Sequence, residues 1–343
     1  MHSKEAALPN IEDVAAAAGV STATVSRVIN RPASVREPLR LRVAEAIARL
    51  RYVPHAGARA LKLQRSGTVG AIFPTVDNAM FAAAIDALQQ RLAAQDMQLL
   101  IATCGYDPDV EARQAVNLVT RGVDALTLCG TAQRPELLQF LRQRELPVVH
   151  SMTCPVPQGL VGVGFDNARA IGLAVRHLVE LGHRHIAMLA GITRHNDRAT
   201  ARVAGVRRAL RRAALPPPPL IECAYDIAAA RAALRELLAA RPRPTAVVCG
   251  NDVIAVGALL EAQALGIAVP GELSITGFDD IELARHLRPA LTTLRVPTQS
   301  LWHLVADRLI AGLAGLAGEA MPAATAVEVE LCVRDSTGPA PRR

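Results

Sequence analysis

Aromatic side chains make up only 3% of the 343 residues (one Trp, three Tyr and five Phe), so the core has to be built from Leu, Val, Ile and Ala. Lysine is nearly missing, confined to Lys4 and Lys62. No apolar run reaches the roughly 18–20 residues of a membrane-spanning helix, which excludes an integral membrane reading. The first twenty residues include Lys4, Glu5, Glu12 and Asp13 and lack the apolar stretch of a secretory signal, so a cytoplasmic location is expected. The six cysteines, Cys104, Cys129, Cys154, Cys223, Cys249 and Cys332, form no C-x-x-C pair and read as small buried apolar residues. Enzyme signatures are missing too: there is no Walker loop, no G-x-S-x-G elbow and no complete G-x-G-x-x-G turn. His183 and His185 alone do not make a metal site, and neither a metal nor a cofactor is expected.

What is present is unevenly charged. Residues 1–65 carry eleven basic and five acidic side chains, a net +6, while the remaining chain carries 27 basic and 26 acidic ones, a net +1. A small basic head therefore precedes a large, nearly neutral body, and a basic head calls for a polyanion, nucleic acid before membrane. The length, about twice a typical domain, fits that division.

The head reads as short helices. Asn10, with Asp13 three residues on, caps a helix through Ala15–Ala18 that stops at Gly19. Ser21 caps a second helix, Thr22 to Ile29, and Pro38 opens a third with Val43, Ile47 and Leu50 on one face. Gly19 as the tight turn, Val20 as a core plug, and Val25 and Ile29 four apart on an inward face have helix-turn-helix spacing. Thr22, Ser26, Ala23 and Arg27 then face outward, offering short polar groups, a methyl and one guanidinium fork to a major groove.

From Thr68 onward short apolar runs alternate with helical stretches. Strands are expected at 68–74, 98–104, 125–129, 148–151, 161–164, 185–190, 220–223, 246–250 and 274–278, with helices at 80–94, 111–121, 167–181, 202–214, 228–239 and 253–265. This β–α alternation predicts parallel sheets covered by helices, and the number of units suits two lobes.

The segments Ile11-Glu12-Asp13-Val14-Ala15, Gly19-Val20-Ser21, Thr24–Asn30, Tyr52-Val53-Pro54 and Ala58-Arg59-x-Leu61 resemble the lactose/purine repressor (LacI) family of bacterial transcription regulators, and the resemblance continues to about Arg334. It implies an all-α helix-turn-helix head plus an α/β two-lobed body like the periplasmic sugar-binding proteins. The parts are a head at 1–54, a hinge helix at 55–66 and an effector-binding and dimerisation body at 67–336. The body's N-lobe is taken as 67–166 and 297–324, its C-lobe as 167–296 and 325–336, and 337–343 as a disordered tail. The implied protein is a homodimeric repressor that binds a palindromic double-stranded DNA operator in the nucleoid and answers to a small-molecule effector, with no membrane partner.

Carried over residue by residue, Thr22, Ala23 and Arg27 match base-reading positions, and Ser21, Thr24 and Asn30 match positions that contact or orient phosphates. Ser26, Tyr52, His55 and Arg59 complete the DNA-facing set. Leu61 matches the leucine that wedges into a minor-groove step, with Lys62 beside it. The chain departs from the pattern at His55, where Asn is commoner, at Gly57, which weakens the hinge helix, and at Arg36 and Pro38, which start the third helix. In the body, Arg202, Asn251 and Asp279 match readers of a polyol or carboxylate, and Phe81 and Tyr225 match aromatics that flank the ligand. Asn251 and Asp279 also precede helices and could serve as caps. Arg198 and His150 join the candidates because the Arg194–Arg198 loop is rich in cations and His150 ends a strand. Val163–Asn167, Tyr106-x-Pro108 and Gly182–Ile186 resemble the gluconate-repressor branch, which implies a sugar or a sugar acid such as gluconate or a ketogluconate. The runs Met80–Ile85 and Val116–Val119 are candidate dimer faces.

Overall fold

The computed structural model describes residues 8–53, 65–315 and 323–342. The chain divides into two compact units, Met1–Ser66 and Gly67–Arg343.

In the first unit, α1 (Ile11–Ala18) begins at a reciprocal capping box: the Asn10 side chain accepts from the Glu12 and Asp13 amides while Asp13 accepts from the Asn10 amide. It ends at Gly19, whose φ of +61° is the left-handed conformation that a side chain resists. Ser21 caps α2 (Thr22–Asn30) through the Thr24 amide, and α3 (Glu37–Leu50) starts with Pro38 in its first turn and no side-chain cap, as its Arg36 start foretells. Val14, Ala18, Val25, Val28, Val43 and Ala46 form the core. Val28 is thus fully inward and Ile29 only partly so, a small rotation from the expected Val25–Ile29 face.

Two of the head's cations work internally: the Arg42 guanidinium donates to the carbonyls of Ala18 and Gly19, and Arg49 to that of Ala17. They satisfy the open C-terminal end of α1 and place positive charge where the helix dipole is negative. Arg42→Ala is therefore expected to cost the head about 1.5–3 kcal/mol, the scale of a charge-assisted hydrogen bond. The readout is faster tryptic cleavage within residues 1–66 of the full chain at an unchanged body melting temperature.

The body contains a parallel six-stranded sheet in the order β11-β5-β4-β3-β1-β2 and a parallel four-stranded sheet in the order β7-β6-β8-β9. The N-lobe strands are β1 (Thr68–Phe73), β2 (Gln98–Thr103), β3 (Ala125–Cys129), β4 (Val148–Ser151), β5 (Gly162–Gly164) and β11 (Ala324–Ala326). The C-lobe strands are β6 (Ile186–Gly191), β7 (Leu220–Cys223), β8 (Ala246–Cys249) and β9 (Ser274–Thr276), and β10 (Thr293–Arg295) pairs antiparallel with β12 (Glu330–Cys332). The helices between them are α4 (Ala79–Ala93), α5 (Pro108–Thr120), α6 (Pro135–Gln143), α7 (Asn167–Glu180), α8 (Asp197–Arg212), α9 (Ile227–Leu237), α10 (Asp252–Ala264) and α11 (Thr298–Leu313). Strand alternation splits the aliphatic core: Val69, Ala71 and Phe73 of β1 join the cluster of α4 and α11, and Ile72 joins that of α5 and α6.

Several expectations need correction. The tail is ordered through Arg342: Ile275 donates to the Ser336 carbonyl, Gly338 exchanges hydrogen bonds with the Ser274 hydroxyl, its carbonyl also accepts from His183 Nε2, and the Ala340 amide donates to Leu181. A Ser-Thr-Gly-Pro composition reads as disorder, but here its backbone and hydroxyls satisfy the edge of the C-lobe sheet. The third lobe crossing falls after Ala326, because β11 pairs with β5, so the last C-lobe segment starts beyond 325. In the run Met80–Ile85, Met80, Phe81 and Ala84 are buried where α4 packs on α11, while Ala82 and Ala83 on its other side are exposed. The helices α6 and α11 were not among the expected ones.

Candidate functional site

On the head, Ser21, Thr22, Ala23, Arg27 and Asn30 are exposed along one side of α2, with Thr24 and Ser26 half-buried. The Thr24 hydroxyl pairs with that of Ser21 at 3.0 Å, and the Asn30 amide nitrogen donates to the Ser26 carbonyl at 2.8 Å. The Arg27 guanidinium has no partner among the described residues, so its five donors face outward. A helix side with one free fork and short hydroxyls can enter a major groove without clashing. Tyr52, expected as a DNA contact, is instead 8% exposed and part of the head core. Its ring supplies volume that the aromatic-poor head lacks elsewhere. His55, Arg59, Leu61 and Lys62 lie outside the described residues, as does the whole expected hinge helix apart from Arg65 and Ser66.

In the body, strand ends from both lobes face one cleft lined by Asn78, Met80, Phe81, Tyr106, Met152, Asn196, Arg198, Arg202, Tyr225, Asn251 and Asp279. Six of the seven expected effector residues therefore meet. The seventh, His150, does not line the cleft: it is 1% exposed, its Nδ1 lies 3.0 Å from the Gly130 carbonyl, and burial lowers its pKa. A neutral imidazole inside the sheet positions the loop after β3 and does not read a ligand.

The polar groups are held from behind. Arg202 donates from Nε to Asn167 Oδ1 at 2.9 Å and from Nη1 to the Gly250 carbonyl at 2.6 Å, and its guanidinium lies 3.7 Å from the Phe278 ring centroid. Carbonyl, amide and aromatic face fix the fork in place. Asn251 caps α10 through the Ile254 amide while also lining the cleft, so capping and ligand reading are compatible in one residue. Asp279 has φ of +120° and a buried Oδ1 with no partner among the described residues. Burial pushes its carboxyl up to about 7 against the pull of Arg202, and Asp252 behind it is raised to about 6, also by burial. Asp279 thus combines a sparsely populated backbone conformation with an unsatisfied buried oxygen in a residue that lines the cleft, the pattern of a candidate binding point.

The scarce aromatics are concentrated here. Tyr106 of one lobe stacks on Tyr225 of the other at 5.4 Å, Phe165 on Phe278 at 5.8 Å, and Phe73 contacts both Phe81 and Trp302. Gly191 makes the Tyr225 position possible, since a Cβ there would fall 2.1 Å from the phenol oxygen. The lobes are latched by Asp197, whose Oδ2 accepts from the Thr131 amide at 2.9 Å and its hydroxyl at 3.1 Å. Arg198, 8% exposed, pairs with Asp197 at 3.3 Å. Burial opposes its charge, but Asp197 holds its pKa above the ordinary value. The pocket lined by these residues holds about 20 Å³, and a cavity of about 490 Å³ bordered by Tyr106, His195 and Tyr225 adjoins it. Sequence reading did not place Asn78, Met80, Tyr106, Met152 and Asn196 in the cleft. Asn78 and Asn196 are legible as helix caps, but their place in the cleft depends on the other lobe.

Comparison with known proteins gives a consistent picture. Residues 10–55 match the model of bacterial regulatory proteins of the lacI family, and residues 175–337 match the periplasmic binding protein-like domain. The HTH-type transcriptional repressor PurR of Escherichia fergusonii is 32% identical over 311 residues, covering 88% of this chain and 91% of that protein. Among solved structures, the Lac repressor dimer bound to operator and the anti-inducer ONPF has a TM-score of 0.85 at 26% identity, over 96% of this chain and 99% of that one. The complex of the transcriptional regulator CelR with cellobiose has a TM-score of 0.70 at 29% identity, with the same coverage.

Proposed function

The chain belongs to the lacI family of bacterial regulatory proteins, and we propose that in this member a sugar acid bound between the lobes sets the affinity of the head for its operator. It is a DNA-binding transcriptional repressor with an effector-binding domain, and it is not an enzyme. A regulator of this kind acts in the cytoplasm, on the nucleoid. The observation that carries the sugar-acid reading is the pair of buried guanidinia, Arg198 and Arg202, lining one cleft. Arg202 suits adjacent hydroxyls together with Asn251 and Asp279, as a polyol requires. Arg198 adds a second fork, which forms an ion pair with the latch residue Asp197. A ligand carboxylate that competes for Arg198 would loosen Asp197 from Thr131 and so couple binding to lobe movement. Gluconate and ketogluconates combine both features, whereas the CelR structure binds cellobiose, a neutral sugar. Titration of the full chain with hexonates and matched neutral sugars tests this: acids should bind at least about tenfold tighter, and equal affinity would overturn the acid reading.

On the head, Thr22, Ala23 and Arg27 read base edges, and Ser21, Thr24 and Asn30 set the helix on phosphates. The Leu61 and Lys62 wedge stays part of this proposal. The operator is palindromic because the protein pairs two heads through its bodies. The dimer face we favour is the edge of the N-lobe sheet. There, among the described residues, β2 pairs only with β1, Leu100 and Ile101 are 37% and 38% exposed, and Val116 on neighbouring α5 is 42% exposed. An open strand edge flanked by apolar side chains invites a second copy. Leu100→Asp with Ile101→Asp is expected to give a monomer in sedimentation velocity and to lose operator affinity with it. A variant that stays dimeric would move the interface elsewhere.

A further inference from the structure

A second pocket lies on the C-lobe, away from the interlobe cleft. Helices α7 and α8 run side by side, and where they touch the side chains are small: a Cβ on Gly205 would fall 2.4 Å from the Ala168 carbonyl, and one on Gly172 would lie 3.9 Å from Ala209. These two contacts advance in the same direction along both helices, so the pair is parallel and in a fixed register. Beyond the contact the helices leave a groove of about 590 Å³, within the range of small-molecule sites. Its floor is Gly172, Val175, Val179, Ala209 and Ala213, and its walls are Arg169, Arg176, Arg208 and Arg212.

All four arginines are exposed, and none forms an ion pair or a side-chain hydrogen bond among the described residues. The acid lining the groove, Asp166, accepts the Arg169 amide as the cap of α7. The register sorts the four arginine positions into two pairs along the groove. Arg169 and Arg208 lie toward one end, and Arg176 and Arg212 toward the other. Seven residues separate the arginines on α7 and four on α8, so the pairs are about 6–10 Å apart at 1.5 Å per residue. Paired arginines along a common floor suit a dianion better than a single carboxylate, because each phosphate can accept from two guanidinia. The long arginine stems and the apolar floor can cover the body of a compact ligand.

We propose that this groove binds a small molecule carrying two phosphate groups, one at each arginine pair. Such a site would give the regulator a second input that does not pass through the Arg202 cleft.

The test is calorimetry of the full chain with alkanediol bisphosphates of increasing length, against inorganic phosphate at the same ionic strength. Affinity should peak at the length that holds the phosphates about 6–10 Å apart, at least about tenfold above inorganic phosphate, as a bivalent contact requires. The double variants R169A/R208A and R176A/R212A should each bring the best bisphosphate down to the level of inorganic phosphate, with melting temperature and operator affinity unchanged. An affinity that follows total charge and ignores length would overturn the proposal, as would retention of binding in both double variants. Tighter capture of an acidic peptide or of non-operator duplex, lost in the same variants, would likewise replace the bisphosphate with a macromolecular partner.

Discussion

Replacing Arg27 by alanine should weaken operator binding about 5–150-fold and erase the preference at one base pair of each half-site. That range corresponds to the roughly 1–3 kcal/mol of one bidentate arginine–base contact. The rest of the helix argues that the loss is local. Arg27 is exposed with no partner among the described residues, so its removal leaves no buried group unsatisfied and α2 keeps its Ser21 cap and its Val25 and Val28 packing. Binding to non-operator DNA should change much less, because phosphate contacts from other cations carry that affinity. Anisotropy measured with operator, half-site variants and scrambled duplex at fixed salt separates the two. An equal loss on all three would recast Arg27 as a phosphate contact.

Asp279→Asn should have the second large effect, with opposite signs on response and stability. Effector response should fall at least about a hundredfold, because the carboxylate that faces ligand hydroxyls becomes an amide while Arg202 keeps its supports from Asn167 and Gly250. Stability should rise. Burial lifts Asp279 to about 7 and Asp252 to about 6, so both hold protons more tightly folded than unfolded. Their contribution to stability is complete below the ordinary carboxylate range and is lost as pH rises through about 6 to 7. The parent should therefore melt at lower temperature at pH 8 than at pH 6, and the asparagine variant should lose most of that difference. This is the familiar exchange in which a strained, unsatisfied site is kept for function. Parallel melting curves for parent and variant at both pH values would show that Asp279 is not the group responsible.

These two residues also mark what can be read from the chain alone. Arg27 was legible because everything that positions it is local: Asn10, Gly19 and Ser21 act within a few residues, and helical spacing does the rest. The alternation of strands and helices in the body was legible for the same reason. Asp279, Asn251 and Arg202 were placed by family resemblance, and the structure adds why they converge: strand ends, one left-handed backbone position and the Phe278 ring. What escaped depends on contacts between distant segments. His150 looks like a ligand group at a strand end until Gly130 is found beside it, and Tyr52 looks available until the three head helices close over it. Arg42 looks like one more cation for DNA until α3 brings it to the end of α1. The tail's composition says disorder, and only the neighbouring sheet edge says otherwise. The basic head is thus less available to DNA than its net +6 implies, and the scarce aromatics matter more than their 3%, since seven of the nine pair with one another at or behind the cleft.

The central claim is that a sugar acid in the cleft controls the head's hold on DNA. Its most direct test is operator affinity at fixed salt across a panel of hexonates, ketogluconates and their neutral counterparts. One of the acids should shift the operator Kd about 5–150-fold, the range of an allosteric coupling of roughly 1–3 kcal/mol, with no shift from the neutral partner and none in the Asp279→Asn variant. An operator Kd indifferent to every acid, or moved equally by the neutral sugars, would contradict the account.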